Sequence, residues 1–162
     1  MKRLLLVGML ICCGFSSPTV HIPVVSLAEL RQRIAHPTND TTYIVHFWAT
    51  WCKPCIEELP VFEQLTQESN TSNLKVLLVS LDFKKDIETK VLPFVTKRGL
   101  RSEVLLMNEP NAAAWIDKVD SSWSGAIPAT IIINPVRRSR RFIEGQLTKP
   151  ELDSLIALVH KP

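Results

Sequence analysis

The chain has 162 residues, 46% of them apolar and 22% charged, a composition that suits one packed globular domain and excludes a disordered or low-complexity chain. Its formal net charge is +3, of which Lys2 and Arg3 supply two, so the remainder carries +1. That near-neutral balance offers no broad basic field to nucleic acid.

Met1-Lys2-Arg3 opens the chain, and Leu4 to Phe15 follows as an almost unbroken apolar run, with small residues at Gly14 and Ser16. This pattern predicts an export signal over residues 1–16, removed near Ser16–Ser17 and too short for a comfortable membrane span. The expected destination is extracytoplasmic, the periplasm, with 17–162 as a single domain. Cys12-Cys13 opens a second reading, a lipid anchor, although no small residue stands just before Cys12 to make a good attachment box. A retained N-terminal anchor is the third. Membrane contact is expected only through such an anchor.

Two of the four cysteines fall in this leader, which leaves Cys52 and Cys55. In an exported, oxidising setting they pair with each other or with a partner. A bridge closing so short a loop removes little chain entropy, and a domain of this size has a core that does not need it. The pair therefore asks for a chemical reason.

Ser26, with Glu29 three residues on and Leu27, Leu30 and Ile34 on one face, predicts a capped amphipathic helix. His36 to Asp40 reads as a turn, and Tyr43 to Trp48 as a strand covered on both faces. Cys55, Leu59, Phe62 and Leu65 then repeat at helical spacing to about Gln67. Pro54 suits the first turn of that helix, and Pro60 should kink its interior. Leu74 to Leu81 is a second buried strand. Asp86 to Arg98 is a helix interrupted or restarted at Pro93 and stopped by Gly99. Glu103 to Met107 is a short strand, and Asn111 caps a helix to about Asp120. Ala129 to Ile133 is a third main strand, Asn134-Pro135 turns, and Arg141 to Gly145 returns as its antiparallel partner. Thr148 and Glu151 form a capping box for a last helix that faces Leu152, Leu155, Ile156 and Val159 to the core. Alternating strands and helices predict an α/β fold, a mixed but mostly parallel sheet with helices on both faces.

Cys52 stands where a strand gives way to a helix. Free backbone N–H groups and the positive end of the helix dipole favour a thiolate there. Lys53 adds a cation beside it. Cys55 lies one turn in, on the buried side, and should titrate higher. Such a pair is an attacking thiolate with a built-in resolving thiol.

The segment FWATWCKPCIEELP, Phe47 to Pro60, closely resembles the active-site segment of the thioredoxin superfamily, and within it the exported TlpA/ResA-like thiol–disulfide oxidoreductases. The resemblance extends to Gly125-Ala126-Ile127-Pro128-Ala129-Thr130 and spans roughly Ser26 to Val159. It implies a thioredoxin-like fold, with Pro128 as a cis-proline against the CxxC loop and Ile127 facing the substrate. It also implies a redox-active Cys52–Cys55 disulfide. Trp51, directly before Cys52, is expected to be exposed and to dock partners, with simple packing as the plainer reading, and Lys53 and Pro54 are expected beside it as substrate-binding residues. Two positions depart from the common pattern. His46 stands where many thioredoxins carry a buried acid, and Glu58 takes the place of the glutamate used for proton transfer in the exported branch. Lys53 replaces a glycine or acid, and a cation there should raise the reduction potential.

Plainer readings stand beside these. The two cysteines could form a structural bridge. Zinc would need further ligands, and no second CxxC or HxxxH exists. Copper could draw on His36 or His160, without a supporting motif. Glu58 could simply complement the helix dipole, His46 could be a packed strand histidine, and Trp48, Trp115 and Trp123 core residues. Arg137 to Arg141 could be a solvated hairpin tip. The resulting expectation is a monomeric exported reductase of protein disulfides, apocytochrome c among its partner class. It would be recharged by a membrane thiol donor and would need no cofactor and no metal. A disulfide-introducing oxidant, or a non-catalytic metal carrier or adaptor, is the alternative.

Overall fold

The computed structural model describes residues 21–35, 40–68, 73–109 and 111–160. The leader at 1–16 with Cys12 and Cys13, and His36 to Asn39 of the expected turn, lie outside these residues.

Six strands form one sheet: β1 (Val24–Val25), β2 (Thr42–Trp48), β3 (Leu74–Ser80), β4 (Glu103–Met107), β5 (Ala129–Asn134) and β6 (Ser139–Glu144). Their spatial order is β1-β4-β3-β2-β5-β6. The first four in that order run parallel, β5 is antiparallel to β2, and β6 is antiparallel to β5. The helices are α1 (Leu27–Ala35), α2 (Lys53–Glu68), α3 (Leu92–Arg98), α4 (Ala112–Val119) and α5 (Lys149–His160).

The period of two along each strand divides the apolar residues between two cores. Ile44, Trp48, Leu78, Leu106 and Ile132 meet Leu59 and Phe62 of α2, Val95 of α3 and Leu152 and Val159 of α5. Val45, Phe47, Val79, Leu105 and Ile131 meet Leu27 and Leu30 of α1 and Trp115 of α4. β2 is central and buried on both faces, which explains its nearly continuous apolar sequence. Its last residue, Trp48, therefore ends in the middle of the sheet, and whatever follows is held there.

Local signals set most helix ends. The Ser26 backbone N–H and hydroxyl donate to Glu29 at 2.7 and 2.8 Å, and the Glu29 N–H returns to the Ser26 hydroxyl at 3.3 Å. At α5 the Thr148 N–H and hydroxyl donate to Glu151. Gly99 ends α3 with a left-handed φ of 61°. Asn111 sits at the entrance of α4, but its side chain makes no capping bond. α2 continues through Pro60, whose exposed ring lacks the N–H that would reach the Ile56 carbonyl. The helix restarts at Pro93 as expected, with Pro93 in the first turn of α3, and a 3₁₀ turn at Lys84–Asp86 and a wide π turn at Ile87–Val91 precede it. β6 begins at Ser139, two residues before the expected start.

Candidate active site

Residues Ala49 to Cys52 leave β2 and enter α2. The Cys52 N–H donates to the Ala49 carbonyl at 3.1 Å, and the Ile56 N–H donates to the Cys52 carbonyl at 3.1 Å, which places Cys52 at the helix entrance. Asp82, just beyond β3, fixes this loop. It accepts the Thr50 N–H at 2.9 Å and the Thr50 hydroxyl at 2.6 Å, and the Ser80 hydroxyl at 2.8 Å. Asp82 is buried and did not stand out in the sequence; a polar pair, Ser80 and Asp82, closing an apolar strand was the available signal.

Cys52 and Cys55 are joined by a disulfide. The Cys55 N–H donates to the Cys52 sulfur at 3.3 Å. Cys55 is fully buried, while Cys52 lies closer to the surface. The Ile127 carbonyl oxygen is 3.8 Å from the Cys52 sulfur, and the Ile127–Pro128 peptide bond is cis. Trp123 steadies the approach to that bond, its indole N–H donating to the Ala126 carbonyl at 2.7 Å. Trp123 and Trp115 are buried, packed with Phe47, and so belong to the core, as does Trp48.

Trp51 is 64% exposed beside the disulfide. Phe83, next to Asp82, is the other large exposed aromatic residue near this loop among the described residues. The Lys53 side chain is 87% exposed and lies 3.8 Å from the Glu57 carboxylate, so solvent and its partner screen its charge from the sulfur. The helix entrance, more than Lys53, supplies the field at Cys52. Pro54 lies in the first turn of α2, and its carbonyl accepts the Gln146 side-chain N–H at 3.0 Å.

Glu58 is not in the first turn of α2. It points inward and is 4% exposed, so its charge does not serve as a simple complement to the helix dipole. One carboxyl oxygen accepts the Leu147 N–H at 2.7 Å. The other, Oε1, lies 3.5 Å from Nε2 of His46. Burial pushes the Glu58 carboxyl up to about 7, against the opposing pull of the Leu147 N–H. His46 is fully buried on β2, stacked on Phe62 at 4.1 Å, with Nδ1 3.0 Å from the Thr130 hydroxyl. Burial holds its ring well below the usual range and therefore neutral.

Two outlying groups are placed elsewhere. The arginines around the β5–β6 turn include two in ion pairs: Arg137, exposed in the turn, binds Asp40, and Arg140 of β6 binds Asp120. His160 Nε2 lies 2.6 Å from the Thr42 hydroxyl, remote from the cysteines in the sheet register. Among the described residues, no group of three histidine, cysteine or acidic side chains is arranged to hold a metal ion.

Residues 14–138 match the AhpC/TSA family. The chain is 26% identical over 130 residues to the thiol-disulfide oxidoreductase ResA of Geobacillus thermodenitrificans, covering 80% of this chain and 69% of that one. It is 26% identical over 110 residues to ResA of Geobacillus kaustophilus, covering 67% of this chain and 58% of the relative. In fold it is similar to a thioredoxin-related protein of Neisseria meningitidis serogroup B, with a TM-score of 0.64 at 22% identity, covering 76% of this chain and 88% of that one. The architecture is thioredoxin-like.

Proposed function

Because the chain belongs to the AhpC/TSA family, we propose that it is a thiol–disulfide oxidoreductase that reduces disulfides in exported proteins. The observation that carries this reading is the Cys52–Cys55 bridge at the entrance of α2, with the Cys55 N–H aimed at the Cys52 sulfur at 3.3 Å. An N–H donor and a helix entrance stabilise negative charge on that sulfur. The ResA relatives support the same chemistry.

In the reduced protein, the Cys52 thiolate attacks one sulfur of a partner disulfide. A mixed disulfide forms and the other partner sulfur leaves as a thiolate, which takes up a proton. Cys55 loses its proton, attacks the Cys52 sulfur and releases the second partner thiol. The partner gains two electrons and two protons; the Cys52–Cys55 dithiol becomes the disulfide. Glu58, one turn beyond Cys55 and buried with a raised proton affinity, takes the Cys55 proton. Ile127 and Pro128 border the Cys52 sulfur and receive the partner backbone, while Trp51, Lys53 and Pro54 meet its surface. The exchange uses only the two sulfurs and needs no cofactor. The leader at 1–16 sends the protein to the periplasm, where it works as a monomer recharged by a membrane thiol donor.

Cys52→Ser should abolish insulin reduction, and Cys55→Ser should accumulate partners as mixed disulfides that mass spectrometry can identify. Unchanged turnover in Cys52→Ser would discard the assignment. A reductase should also show a midpoint in glutathione buffers nearer the thioredoxin end, about −270 mV, than the strongly oxidising end, about −120 mV.

A further inference from the structure

His46 takes no part in the exchange just described, yet it lies directly behind it. Its Nε2 and the Glu58 Oε1 are both buried and both lack a hydrogen-bond partner, and they lie 3.5 Å apart. Buried polar atoms of this kind are seldom left unmatched. The remaining atoms of both groups are fixed. Glu58 Oε2 holds the Leu147 N–H, and His46 Nδ1 lies against the buried Thr130 hydroxyl, with Phe62 stacked on the ring. The two unmatched atoms are therefore aimed at each other by contacts from α2, β2, β5 and the turn before α5.

We propose that His46 is a positioning residue for Glu58, binding Oε1 in both protonation states of the carboxyl group by exchanging its own neutral tautomer, with Thr130 reversing its role to match. When Glu58 is ionised, the imidazole proton sits on Nε2 and is donated to Oε1. Nδ1 then accepts the Thr130 hydroxyl proton. When Glu58 gains a proton, its O–H donates to Nε2, the imidazole proton sits on Nδ1, and Thr130 accepts it. The two states differ by one proton, held on the carboxyl group; the ring stays neutral in both. A hydroxyl can serve either tautomer, because it both donates and accepts.

Among the described residues, no other charged side chain lies within ion-pair distance of either group. Against the pair, α2 supplies Phe62, β5 supplies Thr130, and the turn before α5 supplies a backbone N–H, while Cys55, one turn before Glu58 on α2, is held in the disulfide. Burial raises the proton affinity of Glu58 against the opposing pull of that N–H, and burial alone accounts for the neutrality of His46. The inference rests on the proposed role of Glu58 in accepting the Cys55 proton, and it gives that acid a fixed geometry at each stage.

The test is nitrogen NMR of the imidazole in the oxidised full chain across pH 5 to 9, with His46 assigned by its loss in His46→Asn. The two ring nitrogens should exchange protonated and unprotonated resonance positions, with a midpoint equal to that of the Glu58 carboxyl carbon. In Glu58→Gln that exchange should disappear. His46→Phe, which keeps the stacking on Phe62, should raise the Glu58 midpoint by about one pH unit, because the ionised form loses the stronger, charge-assisted bond. A single His46 tautomer throughout the titration, or an unmoved Glu58 midpoint in His46→Phe, overturns the inference. Insulin reduction is read separately: a silent imidazole with normal turnover rejects this role for His46 and leaves the cysteine chemistry standing.

Discussion

Burial lifts the Glu58 carboxyl from its ordinary 4.5 to about 7. Between those values the folded state keeps a proton that the unfolded state has released, so this group's contribution to stability is full at low pH and is lost as pH rises through 7. Burial lowers His46 from 6.5 to about 3. There the unfolded state holds the extra proton, and stability is lost as pH falls from 6.5 toward 3. Where the windows overlap, from 4.5 to 6.5, the two slopes oppose each other, each reaching about 1.4 kcal/mol per pH unit. The native protein should therefore show little pH dependence from this pair in that window. Glu58→Gln should uncover the His46 slope, losing stability below pH 6.5. His46→Asn should uncover the Glu58 slope, losing stability as pH rises toward 7. Urea unfolding at several pH values reads both, and profiles of the same sign in the two variants would contradict the assignment. The cysteines were legible because their chemistry is written within four adjacent positions. The Glu58 environment was not, since the Leu147 N–H comes from 89 residues away and nothing local to either residue announces the contact.

Helix ends depend on short-range signals and could be tested one at a time. At α1 the reciprocal bonds between Ser26 and Glu29 satisfy donors that the helix leaves open. Ser26→Ala should cost about 1 kcal/mol in urea unfolding, with the thiol chemistry unaffected because α1 packs on the sheet face opposite α2. A loss indistinguishable from zero would mean that α1 is held without its cap, by Leu27 and Leu30 and by bonds such as the Leu27 N–H to the Glu109 carboxylate. Both capping boxes were readable for the same reason: four residues carry the whole signal. β1 was not readable. Two valines carry no period, and the strand exists only because β4 offers an edge, with the Leu106 N–H donating to the Pro23 carbonyl and the Asn108 N–H to the Val25 carbonyl. The wide turn at Ile87–Val91 was hidden as well. Its residues suit an ordinary helix; Pro93 marked the restart of α3, where a proline in a first turn breaks nothing, but not the wide turn before it.

Across the whole molecule, alternation of strands and helices showed the α/β class, and near-continuous apolar runs showed that both faces of the sheet are covered. The strand order β1-β4-β3-β2-β5-β6 was beyond composition and period, since it is fixed by which edges pair after collapse. That order places β2 between β3 and β5, so the cysteine loop emerges from a strand clamped on both sides while Asp82 and Ile127 arrive from the neighbouring strands' ends. The sheet also separates two apolar cores, and Ile131 and Ile132 show how sharply. They are adjacent in β5, yet Ile132 packs with Leu59 and Leu152 in one core, and Ile131 with Leu30 and Phe47 in the other. Ile131→Val and Ile132→Val should each cost about 1 kcal/mol. Neighbouring residues usually couple when they share partners, but these two belong to different cores. The double variant should therefore lose the sum of the two, within about 0.5 kcal/mol, in a urea double-mutant cycle. A larger coupling would show that strain in one core is transmitted through β5 to the other, and the strand that carries Pro128 at its entrance would then be deformable rather than rigid.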